Sequence, residues 1–225
     1  MTDNFDLFEK YIRDAGIPES KNYLNDKFFT ILLIRRGKDC PDLPAANYTF
    51  KIYYIDNLDQ VSVNSYYTCR DEIKLLCKHL PLRAYISVNC KSKSRAQVRV
   101  LNKIAQAIEM NETKKPWRMF ATSCDEIEDK NDKRWVLDID SKDKRFIDPI
   151  RKMMLACSSK YKLEDRIILE VPTKSGIHII TRPFNTFEFD KRFEEMRPQL
   201  IVQAEKPDIK KNHLTLLYED LEEEA

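Results

Sequence analysis

Glycine is almost missing from this chain: Gly16, Gly37 and Gly176 are the only three in 225 residues. No Gly-rich phosphate loop of the Walker type and no GxGxxG fingerprint can be assembled from them, which excludes simple P-loop ATPases and Rossmann dehydrogenases. Apolar runs such as Ile31 to Ile34 fall far short of the roughly 20 residues needed to span a bilayer, so no membrane partner is expected. The opening MTDNFDLFEK is acidic and has no apolar h-region, which predicts no secretory leader. Cysteines at positions 40, 69, 77, 90, 124 and 157 show no framework spacing and read as free thiols of a reducing cytoplasm. Cys69, Cys77, His79 and Cys90 are a conceivable zinc set. Without a CxxC anchor they read more simply as buried small hydrophobes and one surface histidine. Neither sign of charge dominates, with 39 Lys+Arg against 37 Asp+Glu, so a polyanionic partner would have to meet a local basic face.

What is present describes a globular chain, 42% apolar and 34% charged, long enough for one large domain or two small ones. Residues 4 to 14 place Phe5, Leu7, Phe8, Tyr11 and Ile12 near one helical face, stopped by Gly16-Ile17-Pro18. Strands are expected at Phe28–Ile34 and Tyr48–Ile55, a helix at Asp71–Leu80 and a strand at Arg83–Val88. Lys91–Met110 reads as a long helix with an apolar stripe of Val98, Leu101, Ile104, Ala105 and Ile108. Its basic run Lys91, Lys93, Arg95, Arg99 and Lys103 is either a solvated face or a phosphate-contacting one.

The second half follows with a strand at Arg134–Asp140, a helix at Arg145–Cys157 and a hairpin of Arg166–Val171 and Ser175–Arg182. A helix near Phe187–Met196 and a strand at His213–Tyr218 precede an acidic tail. Alternating αβ units that give way to a strand-rich hairpin fit an α+β sandwich better than a doubly wound sheet. A boundary near residue 113 divides an N-terminal αβ module, 1–115, from a second module, 116–225, with the two free to pack as one body.

The chemistry concentrates in the second module. In RWVLDID, strand alternation puts Trp135, Leu137 and Ile139 on one face and Val136, Asp138 and Asp140 on the other. The two acids then stand about 7 Å apart at Cα, from a rise of ~3.4 Å per residue. Carboxylates on an apolar strand need compensation, and hard divalent cations supply it; Lys142 or Lys144 at a solvated strand end is the plainer alternative. In VPTKSGIHIITR, Gly176, His178 and Ile180 share a face, and the glycine leaves room for a ligand beside the imidazole. Lys174 and Arg182 flank His178, and a phosphate would suit all three. Asp208, in KPDIKK, reads on its own as turn chemistry.

Together, WVLDID (Asp138, Asp140), SGIH (Ser175, His178) and PDIK (Asp208) resemble the three motifs of the archaeo-eukaryotic primase superfamily, in a small phage-type form. The resemblance covers about residues 130 to 218. It implies an RRM-like catalytic sheet beside the N-terminal αβ module, and a primase-polymerase nucleotidyltransferase active in the host cytoplasm. It implies a two-metal Mg²⁺ or Mn²⁺ site on Asp138, Asp140 and Asp208, with Asp190 in FEFD the rival for the third acid. Ser175 and His178, with Lys174 or Arg182, would hold the triphosphate. Implied partners are nucleoside triphosphates, single-stranded or primer-template nucleic acid, and a helicase or other replication protein. Two alternatives stay open: a metal-dependent nuclease that adds Glu170, and a catalytically silent binding or inhibitory protein on the same scaffold.

Overall fold

Period-two alternation in the strand segments builds two antiparallel sheets. The structure is a computed structural model and describes residues 1–40, 47–111, 119, 123–124, 132–200, 205–211 and 213–220. In chain order the first elements are β1 (Thr2–Asp3), α1 (Phe5–Asp14), β2 (Lys27–Arg36), β3 (Asn47–Ile55), α2 (Tyr66–His79), β4 (Arg83–Ser87), β5 (Lys91–Ser92) and α3 (Lys93–Glu109). There follow β6 (Trp135–Ile139), α4 (Lys144–Ala156), β7 (Ile167–Pro172), β8 (Ile177–Thr181), α5 (Thr186–Met196), β9 (Asp208–Lys210) and β10 (Leu214–Glu219). The protein is of the α+β class. No helix among the described residues is long and apolar enough to cross a membrane.

The larger sheet has the order β1-β10-β4-β2-β3, with β5 beside β2, and the smaller the order β7-β8-β6-β9. The strand expected at His213–Tyr218 is β10, lodged in the larger sheet antiparallel to both β1 and β4, so the last described strand completes the sheet begun by the first residues.

The smaller sheet has two unlike faces, each set by alternate residues. Leu137, Ile139 and Ile179 pack against Phe146, Ile150 and Met154 of α4 and Phe189 and Phe193 of α5. Phe189 and Phe193 are fully buried, each contributing on the order of 2–3 kcal/mol relative to exposure. Val136 and Ile180 look the other way and join the large core made by α1, α2 and the first sheet. The alternation read from RWVLDID holds. Cys69 and Cys77 of α2 lie in that same large core, and burial pushes their thiols up to about 12, as suits packing residues.

Three local expectations need correction. Helix α2 starts at Tyr66, ahead of Asp71, because the Ser65 hydroxyl accepts from the Tyr67 amide and caps the extra turn. In α3 the supposed apolar stripe faces solvent, with Leu101 65% and Ile108 75% exposed. The helix instead turns Ala96 and Ala107 inward, and Ala96 shares a small buried cluster with Phe28. Phe187, where the helix was expected to begin, is likewise exposed, and Phe189 and Phe193 seat α5 with the partly buried Met196.

Candidate active site

Antiparallel register places directly opposed residues on one face. Asp138 of β6 stands opposite His178 of β8 on one side and Asp208 of β9 on the other. That face borders a cleft of about 830 Å³. Asp138, Asp140, Thr173, Lys174, Ser175, His178 and Lys210 line it from the smaller sheet. Ile34, Arg36, Arg83, Tyr85, Leu214 and Leu216 line it from the larger one, with Lys38 and Asp39 from the loop after β2.

At the centre, the imidazole of His178 and the carboxylate of Asp138 are mostly buried, with side chains 12% and 14% exposed. His178 Nε2 lies 3.0 Å from Asp138 Oδ1, and Nδ1 lies 2.8 Å from Thr215 Oγ1 of β10. An ionised carboxylate only accepts, so the proton of a neutral ring belongs on Nε2 and the Thr215 hydroxyl donates to Nδ1. Lys210 Nζ bonds the other oxygen, Oδ2. Burial opposes ionisation of Asp138, but the hydrogen bonds and charge of His178 and Lys210 prevail and hold its carboxyl well below the usual carboxylate range. At the cleft mouth Asp140 accepts a 2.9 Å bond from Ser175 Oγ.

The hairpin that carries Ser175 is pressed onto the end of β6. A Cβ on Gly176 would sit 1.9 Å from the Ile139 carbonyl oxygen and 2.6 Å from the Ser141 amide nitrogen. Glycine is therefore required by the approach of two backbones, and the expectation that it clears space for a ligand is corrected. The Thr173 amide donates to the Gly176 carbonyl, and the Gly176 amide to Thr173 Oγ1, each at 3.0 Å, which closes the turn and fixes Lys174 and Ser175 at its tip.

The opposite wall carries Arg36, Lys38 and Arg83 with one acid, Asp39, and faces Asp138, Asp140, Lys174 and Lys210. Arg83 is anchored by a two-point bond to Asp39, at 2.7 and 2.8 Å, and by Glu219 Oε2 at 2.9 Å. Desolvation and then the guanidinium groups of Arg36 and Arg83 lower the proton affinity of Lys38, against the opposing charges of Asp39 and Asp140. Surrounding protein, Lys210 and His178 likewise lower the imidazole of His213.

Of the residues singled out from sequence, Asp138, Asp140, Lys174, Ser175 and His178 meet at this cleft. Asp208 is beside Asp138 in register but exposed, and it does not line the cleft. Asp190 lies on α5, across the sheet from the cleft, and pairs with Lys206 at 2.7 Å. Arg182 is not at the cleft either: it bonds Asp132 and stacks 5.2 Å over the Tyr161 ring. Glu170 faces α4, where Arg151 grips both its oxygens at 2.7 and 2.9 Å, so the nuclease alternative loses its third acid. In the basic run ahead of α3, Lys91 is buried in β5 and Lys93 pairs with Asp56 at 2.7 Å.

Sequence reasoning missed Arg36, Lys38, Arg83 and Thr215. The first three line the cleft and Thr215 meets His178 from β10, all through the larger sheet, whose approach to the smaller one no local motif announces. Lys210 was detectable, since it is two residues beyond Asp208 and therefore on the same face.

Comparison of the chain with protein-family models, with curated proteins and with solved structures finds no match in any of the three.

Proposed function

We propose that this protein is a metal-dependent nucleotidyltransferase of the primase-polymerase kind, which joins nucleoside triphosphates on single-stranded or primed nucleic acid. One observation carries the reading: Asp138, Asp140, Ser175 and His178, from two separate sequence motifs, share one wall of a cleft whose other wall holds Arg36, Lys38 and Arg83. The order β6-α4-β7-β8-α5-β9, folded into an antiparallel sheet β7-β8-β6-β9, supports it. That order resembles the split β-α-β arrangement of RRM-like sheets.

The donor set fits a divalent cation. Asp138 and Asp140 turn hard carboxylate oxygens into one cleft, with Asp208 a strand away, and such oxygens suit Mg²⁺ or Mn²⁺. When bound, the cation supplies charge neutralisation for the phosphates and acidifies the attacking hydroxyl. The chain's own part is binding and orientation. Lys174 and Ser175 at the hairpin tip, with Arg36 and Lys38 opposite, offer donors and charge to a triphosphate. Thr215 fixes the His178 ring so that its Nε2–H points at Asp138 and holds that carboxylate toward the cleft.

A second reading, a silent nucleotide-binding protein, is favoured by one contact, the Lys210 ammonium seated on Asp138. Incorporation of labelled NTPs and dNTPs with Mn²⁺, with and without single-stranded DNA, separates the two. The enzyme reading expects incorporation that falls by at least about a hundredfold in Asp138→Asn, the scale for losing one preorganised charge-stabilising group, with melting preserved. Nucleotide binding without any incorporation by the unmodified protein would establish the silent one.

A further inference from the structure

Deepening the reading above, and resting on it, we infer that Lys210 is the resident counter-ion of Asp138: its ammonium holds the place of a divalent cation and moves to the polyphosphate of a nucleotide when that cation arrives. Both Asp138 oxygens are engaged, Oδ1 by His178 and Oδ2 by Lys210. The two ligands differ in mobility. His178 is fixed on a central strand and held at its far nitrogen by Thr215. Lys210 reaches in from the three-residue edge strand β9 on a four-carbon stem, with its side chain 29% exposed. A compact charge on a flexible stem is the partner that can leave.

An incoming cation and the ammonium repel each other and compete for the same oxygen, so one displaces the other. Within the cleft the two remaining acids are poor alternatives for a displaced ammonium. Asp39 is held by Arg83 at two points, and Asp140 turns its charge to the same cation. Its other neighbours on the lining include Arg36 and Lys38, which share its sign. A polyphosphate is a ligand that compensates these cations together. Cation and polyphosphate should therefore favour each other's binding through Lys210, and the coupling is reciprocal.

The test is Mn²⁺ binding to the full chain, read from the electron paramagnetic resonance signal of free aqueous Mn²⁺, without nucleotide. Lys210→Met and Lys210→Gln should bind Mn²⁺ about tenfold tighter than the unmodified protein, since a hydrogen bond to a charged group no longer has to be broken. Lys210→Arg, which keeps a cation there, should stay near the unmodified value. With Mn²⁺ saturating, inorganic triphosphate should bind Lys210→Met about tenfold more weakly, for loss of one charged contact. Unchanged or weaker Mn²⁺ binding in both neutral variants, with binding abolished in Asp138→Asn, would overturn the counter-ion role and leave the metal reading standing. Mn²⁺ binding that ignores Asp138→Asn altogether would overturn the metal reading itself.

Discussion

Gly176→Ala isolates the contact that holds the hairpin tip against the end of β6. The added methyl carbon would lie 1.9 Å from the Ile139 carbonyl oxygen, about 1.5 Å inside ordinary contact. The obstructing atoms are backbone, and Ile139 is fully buried, so no side-chain rotation relieves the clash. Hairpin or strand must shift by roughly that distance, which sets the cost near the top of the usual overpacking range, about 3 kcal/mol. At roughly 2–4 °C per kcal/mol for a protein of this size, the melting temperature should fall by about 6–12 °C. The displaced loop also draws Ser175 away from Asp140, so nucleotide binding should weaken together with stability. Calorimetry of Gly176→Ala beside Ser175→Ala gives the comparison, because Ser175 is exposed and its truncation should stay within about 0.5 kcal/mol of the unmodified protein. A Gly176→Ala protein that melts within about 2 °C of the unmodified one would refute the close approach and the steric reason given for this glycine.

Arg83→Met removes the guanidinium between Asp39 and Glu219 and strands a carboxylate that is 3% exposed; denaturant unfolding should show a loss of about 3–5 kcal/mol, and a loss under about 1 kcal/mol would contradict the buried ion pair. Burial opposes ionisation of Asp132, yet Arg134 and Arg182 hold its carboxyl below the usual range. Its stabilising contribution is complete above the ordinary carboxylate pKa of about 4 and is lost as the pH falls below that. Asp132→Asn should therefore flatten the acid limb of stability below about pH 4 in urea titrations at several pH values; an unchanged slope would count against the pairing. Arg182→Met should lower the melting temperature while leaving nucleotide affinity within about twofold, and a larger loss of affinity would return Arg182 to the site.

The parts of this protein that were legible beforehand are those decided by short-range rules. The alternation in RWVLDID sorted Leu137 and Ile139 from Val136 and Asp138, and both sets lie where a pleated strand must put them. His178 reached the Asp138 face because a hairpin with apolar runs on both sides has little freedom in register. The first turn of α2 escaped because Tyr66, Tyr67 and Thr68 favour strands, and only the capping bond of Ser65 reveals the helix. The orientation of α3 escaped for a different reason. Its larger apolar residues outnumber its alanines, but the face that docks carries Ala96 against Phe28, a tertiary contact that no periodicity in the helix reveals. The same limit hid the basic wall, since Arg36 and Arg83 carry no motif and line the cleft with Asp138 only through the larger sheet, where β10 slides between β1 and β4.

That insertion governs how the chain can fold. Thr2 pairs with Glu219, and their side chains bond across 217 positions of sequence. Contacts at such separation close late and slowly, because the loop entropy must be met before the pairing rewards it. While the polypeptide emerges from the ribosome, β4 has β2 on one side and an empty hydrogen-bonding edge on the other, which stays open until residues 214–219 exist. A nascent chain in this state offers a ready template for pairing with its neighbours. The basic wall is equally late in forming, since Glu219 anchors Arg83 only once β10 is in place. Assembly of the cleft thus waits for residues 214–219, and a fragment stopped short of residue 214 would have neither a closed first sheet nor the Thr215 hydroxyl that aligns His178.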